Sequence, residues 1–365
     1  MRWRLAAMSV AVATVTLALV LTGAELALRY REQHRSVVPG TMPTLFYRHY
    51  RTRHAMVRDF SYFGWVHIDS LGFRRTAPVP SPQPVGRPVV LIVGGSTVFD
   101  SQVSSDDRAW PAQLGAILRG AERPFAGEVI NGGVPGYLVV DNLIRLETEL
   151  ADFRPDLLVI YEGHNDLYAA FARAATPGFT QRPGRVESRA PWTAWLEEHS
   201  LLYAKIAARL QAIGSRRRAE SRATVLAPVD WNAVIDAGAH RFERDLESVI
   251  AVAAVRGIPV VLMTLTHVSA ADSAVRDDRV ARSWTYTVGG VPPDVVLRAY
   301  RRFDASVRDV ARRRGLPVID GAASGVVGPA FYAEDDPIHF NDAGAERFAQ
   351  FVAVHLAPLL PRSRP

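Results

Sequence analysis

Cysteine is absent from the 365 residues, so neither a disulfide framework nor a thiolate metal site is available, and the redox compartment is left open. Lysine is almost absent too: Lys205 is the single example, and the remaining basic residues are arginines. They outnumber the acids enough to give a net charge of +6 and a pI near 9.8, yet they are scattered among acids instead of forming a block. No helix-turn-helix, zinc-finger or aromatic RNA-binding pattern accompanies them, so no nucleic-acid partner is expected. GxxxxGK[ST] and HExxH are missing, which removes a phosphate loop and a zincin-type metal site. There is no internal repeat.

What the chain does have begins at its N-terminus. Residues 1–4 are short and basic, and LAAMSVAVATVTLALVLTGA at 5–24 carries no charge before Glu25. Some 20 apolar residues suffice to cross a hydrocarbon core, so a transmembrane signal anchor is expected at 5–28. Thr22 and Ala24 leave a cleavage site open. Arg2 and Arg4 on one side are balanced by Arg29, Arg31 and Arg35 on the other, so charge alone does not orient the anchor.

Residues 29–86 read as a juxtamembrane preamble and linker, basic first and proline-rich later. Then apolar runs recur at 88–93, 127–132, 155–163, 257–266 and 315–320, most of them opened or closed by glycine or proline. Amphipathic helical patterns lie between them. This alternation predicts an α/β fold, a three-layer α/β/α sandwich around a parallel sheet of about five strands, spanning 87–358 with a short tail at 359–365. The pattern is interrupted at about 167–235. There Trp192, Trp195, Leu196, Leu202, Tyr203, Ile206, Leu210 and Ile213 mark one apolar helical face, expected to pack on the main domain; a lid and a membrane-contacting surface are the alternatives.

Ligands of an open α/β sheet bind beyond the carboxyl ends of its strands. LIVGGSTVFD places Ser96 just past the first strand, where it reads either as a nucleophile or as a helix-capping turn residue. A serine nucleophile needs a base and a group that orients the base. In DDPIHFND, Asp336 and His339 are three residues apart around Pro337, before a helix whose start is marked by Asn341 and Asp342. Donors for a developing oxyanion are offered by the Gly136 backbone in NGGVPGY and by the Asn165 side chain in EGHNDLY.

Taken together, GGST, NGGVPG, GHND and DPIH, in that order, resemble the blocks of the SGNH, or GDSL-like, hydrolase superfamily. The resemblance covers residues 87–358. It implies a Ser96, His339, Asp336 triad, an oxyanion hole made by Ser96, Gly136 and Asn165, a covalent acyl-enzyme, and no metal or organic cofactor. It also implies an ester-bearing substrate, an acylated glycan or lipid among the options, and a body held outside the cytoplasm on a bacterial membrane. A serine esterase for small acyl groups, an O-acyltransferase, a lipase or lysophospholipase, and a silent glycan-binding scaffold remain open at this point.

Two departures from the family pattern stand out: Gly95 precedes the serine where Asp is common, and Asp100 takes a position often held by glycine, at the expected pocket mouth. Arg74, in IDSLGFRR, is expected to stitch the preamble to the domain. His164 is expected to face solvent or substrate, Asp166 to cap or turn the chain, and His267 is able to approach the pocket.

Overall fold

The structure, a computed structural model, describes residues 2–33, 46–49, 52–62, 65–76, 88–121, 125–153, 155–175, 229–268, 291–334 and 336–360, with a part of the positions between 192 and 210. Ile213 of the apolar face named above lies outside the described residues.

Five parallel strands make the central sheet: β5 (Val89–Gly94), β6 (Glu128–Asn131), β7 (Leu157–Tyr161), β8 (Val260–Met263) and β9 (Val318–Ile319), in the spatial order β6, β5, β7, β8, β9. The three central strands are buried at every position, because helices cover both faces and no position can be left polar. The edge strand β6 alternates buried and half-buried residues. Helices α3 (Trp110–Gly120) and α8 (Asp342–Leu356) pack together on one side. On the other lie α4 (Val139–Thr148), α5 (His164–Ala175), α6 (Trp231–Val255) and α7 (Pro293–Arg314), with α6 touching the other three. The expected three-layer sandwich is therefore present.

Strand order reverses direction next to β5, since the chain goes from β5 to β6 on one side and then to β7 on the other. That is the topological switch point of the sheet, where a crevice opens beyond the strand ends. The residue following β5 and Gly95 is Ser96, which begins the one-turn helix α2 (Ser96–Phe99).

Within the 29–86 segment, the chain is locally β. Strands β1 (Phe46–His49) and β2 (Arg53–Met56) pair antiparallel, as do β3 (Phe60–Tyr62) and β4 (Val66–Ile68). Met56, Phe60, Val66 and Ile68 form a small core with Phe99, Val134 and Tyr137 of the main domain. Burial of this set attaches the segment to the site region. Arg74 completes the attachment by bridging to Asn131 at the end of β6.

The interruption expected at about 167–235 is entered by α5, whose Leu167, Ala170 and Phe171 are core residues, and is left by α6, capped at Asp230 through the Asn232 and Ala233 N–H groups. N-terminal to everything lies α1 (Arg2–Gln33), of which Met8–Tyr30 is long and apolar enough to cross a membrane.

Candidate active site

The turn that leads into Ser96 is dictated by two glycines. A Cβ at Gly94 would lie 2.3 Å from Val98 Cγ2 and 2.4 Å from the Tyr161 carbonyl, so β5 can press against β7 and α2 only without a side chain there. A Cβ at Gly95 would lie 2.4 Å from Asn165 Nδ2. A side chain before the serine would therefore require the Asn165 amide to move. Asn165 also donates from Nδ2 to the Tyr137 carbonyl at 2.8 Å, and a primary amide keeps a second N–H.

Ser96 and His339 meet although 243 residues separate them, with Ser96 Oγ 2.7 Å from His339 Nε2. His339 Nδ1 lies 2.7 Å from Asp336 Oδ2. The other carboxylate oxygen of Asp336 accepts the backbone N–H groups of Ile338 and His339, both at 3.0 Å. A carboxylate with those partners only accepts, so Nδ1 must donate and Nε2 is left to accept the Ser96 proton. Burial opposes charge on Asp336, but the His339 imidazole and three hydrogen bonds outweigh it and hold the carboxyl below its usual range. Burial likewise disfavours the imidazolium of His339. Its charge and hydrogen-bond interactions with Asp336, helped by Asp100, win and raise it above the ordinary histidine value.

The segment bearing this pair is held from several sides. Asn341 caps α8 by accepting the Gly344 N–H, while its amide donates to the carbonyls of Ala330 and Tyr332. The Val268 N–H donates to the Pro337 carbonyl at 2.9 Å. Asp342 accepts from the Ser104 N–H and hydroxyl at 2.8 and 2.6 Å, which ties the start of α8 to the loop that follows α2.

Gly136 sits at φ +82, a left-handed conformation suited to glycine. Its loop runs along α2: the Val134 N–H donates to the Gly94 carbonyl, and a Cβ at Gly133 would lie 2.2 Å from the Phe99 nitrogen. The preamble braces this loop, which sequence reasoning missed. His54 Nε2 is 2.8 Å from the Pro135 carbonyl, and the Tyr137 hydroxyl donates to the His54 carbonyl at 2.7 Å, with Thr52 Oγ1 at 3.0 Å. No signal in the preamble's composition marks these residues; three- and four-residue strands are too short to show a period.

Other sequence expectations are relocated. Asp100 does not shape a pocket mouth. Its side chain is buried and accepts the Trp110 N–H at 2.8 Å, while its backbone, at φ +65, takes the conformation for which glycine is the usual occupant. Burial raises its carboxyl to about 7 despite the Trp110 N–H and the Arg74 charge. Arg74 is also buried and stitches as expected: it donates from Nη1 to the carbonyls of Phe99 and Asp100 at 2.8 and 2.7 Å and pairs with Asp106 through Nε. His164 does not face solvent, being buried with Nδ1 2.9 Å from the Tyr300 hydroxyl. His267 lies with its ring 4.3 Å from that of Tyr300, pushed down to about 3 by burial and the Arg301 charge. Asp166, in the first turn of α5, accepts the Val139 N–H at the head of α4.

Among the described residues no group of three or more His, Cys, Asp or Glu is arranged to hold a metal ion.

Comparison with known proteins places this geometry in context. The sequence profile described as the GDSL-like lipase/acylhydrolase family matches residues 92–347, more than two thirds of the chain. No curated protein sequence matches. Among solved structures, the chain is similar to the acetyl xylan esterase AlAXEase, at 15% identity over 72% of this chain and 97% of that one, with a TM-score of 0.42. It is similar to TesA at 18% identity over 74% and 99%, TM-score 0.44. Axe2, an acetylxylan esterase from Geobacillus stearothermophilus, gives 16% identity over 77% and 99%, TM-score 0.44. With its five-stranded sheet and its profile match, the chain belongs to the GDSL-like lipase/acylhydrolase family, the SGNH serine hydrolases that act on ester bonds.

Proposed function

We propose that the protein is a membrane-anchored, extracytoplasmic serine esterase that removes small acyl groups, O-acetyl among them, with Ser96 as nucleophile. The observation that carries this reading is the unbroken line from Ser96 Oγ to His339 Nε2 and from His339 Nδ1 to Asp336, both links at 2.7 Å. Ser96 Oγ attacks the ester carbonyl as its proton passes to His339 Nε2. The carbonyl π electrons move onto oxygen, and the resulting oxyanion is met by the N–H groups of Ser96 and Gly136 and the amide of Asn165. His339 then gives its proton to the departing alcohol as the tetrahedral centre collapses, leaving an acyl-Ser96 ester. A water loses its proton to His339, attacks this ester, and the same histidine returns the proton to Ser96 Oγ. Asp336 stays ionised throughout and holds the Nδ1–H tautomer.

Close packing fixes the turn that carries Ser96. The Gly133 loop lies against Phe99 on one side and the Asn165 amide against Gly95 on the other. Anchoring is supported by α1, whose apolar side chains at Met8, Val12, Val15 and Leu19 are all exposed and so find no protein core to enter. The body is placed outside the cytoplasm in this reading.

The test is intact-mass spectrometry after fluorophosphonate treatment of the full chain and of Ser96→Ala, followed by turnover of p-nitrophenyl acetate, butyrate and palmitate. A single adduct missing from the variant, with acetate turned over fastest, is the expected result. An adduct retained by Ser96→Ala would remove Ser96 as nucleophile, and palmitate preference would replace the small-acyl reading with a lipase.

A further inference from the structure

The segment between 192 and 210 has an inward and an outward side. Leu201 is buried, whereas Trp192, Trp195, Ile206 and Leu210 are each half to two-thirds exposed. Apolar side chains of this size at helical spacing are costly to leave in water. What they face is indicated by where the segment is fastened.

That fastening is Glu25 of α1. Its carboxylate accepts the Leu201 and Leu202 N–H groups at 2.9 and 2.8 Å and the Ser200 hydroxyl at 3.0 Å. Arg29, one turn further along α1, donates from Nε to Glu25 at 2.7 Å and from Nη2 to the His199 carbonyl at 2.7 Å. Ser200 Oγ in turn accepts the Tyr203 N–H, so the helical residues 201–203 start on a cap built by Ser200 and Glu25 together.

Glu25 lies inside the apolar span Met8–Tyr30, five residues before its end. At 1.5 Å rise per residue that is about 8 Å from the end of the span, the depth at which hydrocarbon gives way to headgroups. A carboxylate at that depth requires donors, and the 200–202 backbone provides them. The segment must then sit at the same level as Glu25. Tryptophan is the side chain that favours this zone, with its ring in the apolar layer and its indole N–H at the wet edge.

We propose that the 192–210 segment is embedded in the headgroup zone of the bilayer that α1 crosses, with Trp192, Trp195, Ile206 and Leu210 as its lipid contacts. The occupant of this face is lipid, and the proposal rests on the reading of α1 as a membrane span. It gives the body a second attachment point and fixes its tilt over the membrane surface.

The absence of cysteine makes the test clean, because each introduced thiol is the only one in the chain. Full-length Trp195→Cys and Leu210→Cys, nitroxide-labelled in nanodiscs of phosphatidylethanolamine and phosphatidylglycerol, are compared for relaxation by oxygen and by a water-soluble nickel chelate. Val15→Cys reports the span and Val354→Cys, exposed on α8, reports water. Retained fluorophosphonate labelling shows that each variant is folded. The expected outcome is an oxygen-to-nickel ratio at 195 and 210 several-fold above that at 354 and approaching that at 15. A water-like ratio at 195 and 210 with a lipid-like one at 15 overturns the proposal and leaves the anchor standing. Shielding of 195 and 210 from both reagents also overturns it, by assigning the face to a second copy of the chain. A water-like ratio at 15 removes the anchor itself.

Discussion

Three side chains carry the proposed chemistry, and their electrostatics set its pH dependence. The base must be neutral to accept the Ser96 proton, and Asp336 and Asp100 raise His339 above its ordinary value. Esterase activity is therefore expected to fall on the acid side with a midpoint above 6.5, measured as kcat/KM against pH. Asp100→Asn keeps an oxygen for the Trp110 N–H while deleting a charge that favours imidazolium, so this midpoint should move to lower pH. The same change tests stability. Between 3.8 and about 7 the folded Asp100 holds a proton that the unfolded chain has lost, so folding weakens as pH rises through that window. Asp100→Asn should flatten the slope of stability against pH there by up to about 1.4 kcal/mol per unit, in denaturant titrations at several pH values. Ser96→Ala should abolish turnover and leave the melting temperature nearly unchanged, since among the described residues the hydroxyl's hydrogen bond is to His339. Asn165→Ala should lower kcat on the order of 10²-fold, with less effect on KM, as a lost oxyanion donor does.

At the scale of elements, the sequence disclosed whatever repeats or punctuates. β5, β7 and β8 were legible because buried central strands are unbroken apolar runs; the candidates Ser96, Gly136 and Asn165 drew notice because strand ends in this fold are marked by glycine and asparagine, and Asp336 and His339 by their three-residue spacing around Pro337. The candidate site residues stood out as blocks; their mutual distances did not. The fold of the preamble was hidden, since a strand such as Phe60–Tyr62 is too short to display alternation and the side chains its small core packs with, Phe99, Val134 and Tyr137, lie far along the chain. The burial of Asp100 and His164 was hidden for a different reason: their partners, Trp110 and Tyr300, are set by tertiary packing alone. The missed brace yields a prediction. His54→Ala removes the hydrogen-bond partner of the Pro135 carbonyl beside Gly136, so kcat should drop by roughly 10-fold, about the 1.4 kcal/mol expected of one well-placed hydrogen bond, with KM little changed. An equal loss of melting temperature and no kinetic change would assign His54 a purely structural part.

For the whole molecule, several arginines of α7 are paired with acids across the surface. Arg302, Arg313 and Arg314 of α7 reach Glu243 and Glu247 of α6, and Arg308 reaches Asp320. Exposed pairs of this kind add little to stability. Orientation across the membrane is open to a direct check: protease added to intact spheroplasts should digest the C-terminal body, and digestion only after lysis would put it inside. The 243-residue separation of Ser96 from His339 has a temporal meaning as well. A ribosome or a translocation channel delivers the serine long before its base, and the sheet strands β5, β6 and β7 can pair while the hydroxyl is still chemically idle. In the proposed mechanism reactivity is switched on only when Asp336 and His339 arrive, so a chain truncated before them leaves esters intact, and fluorophosphonate labelling reads out completed folding.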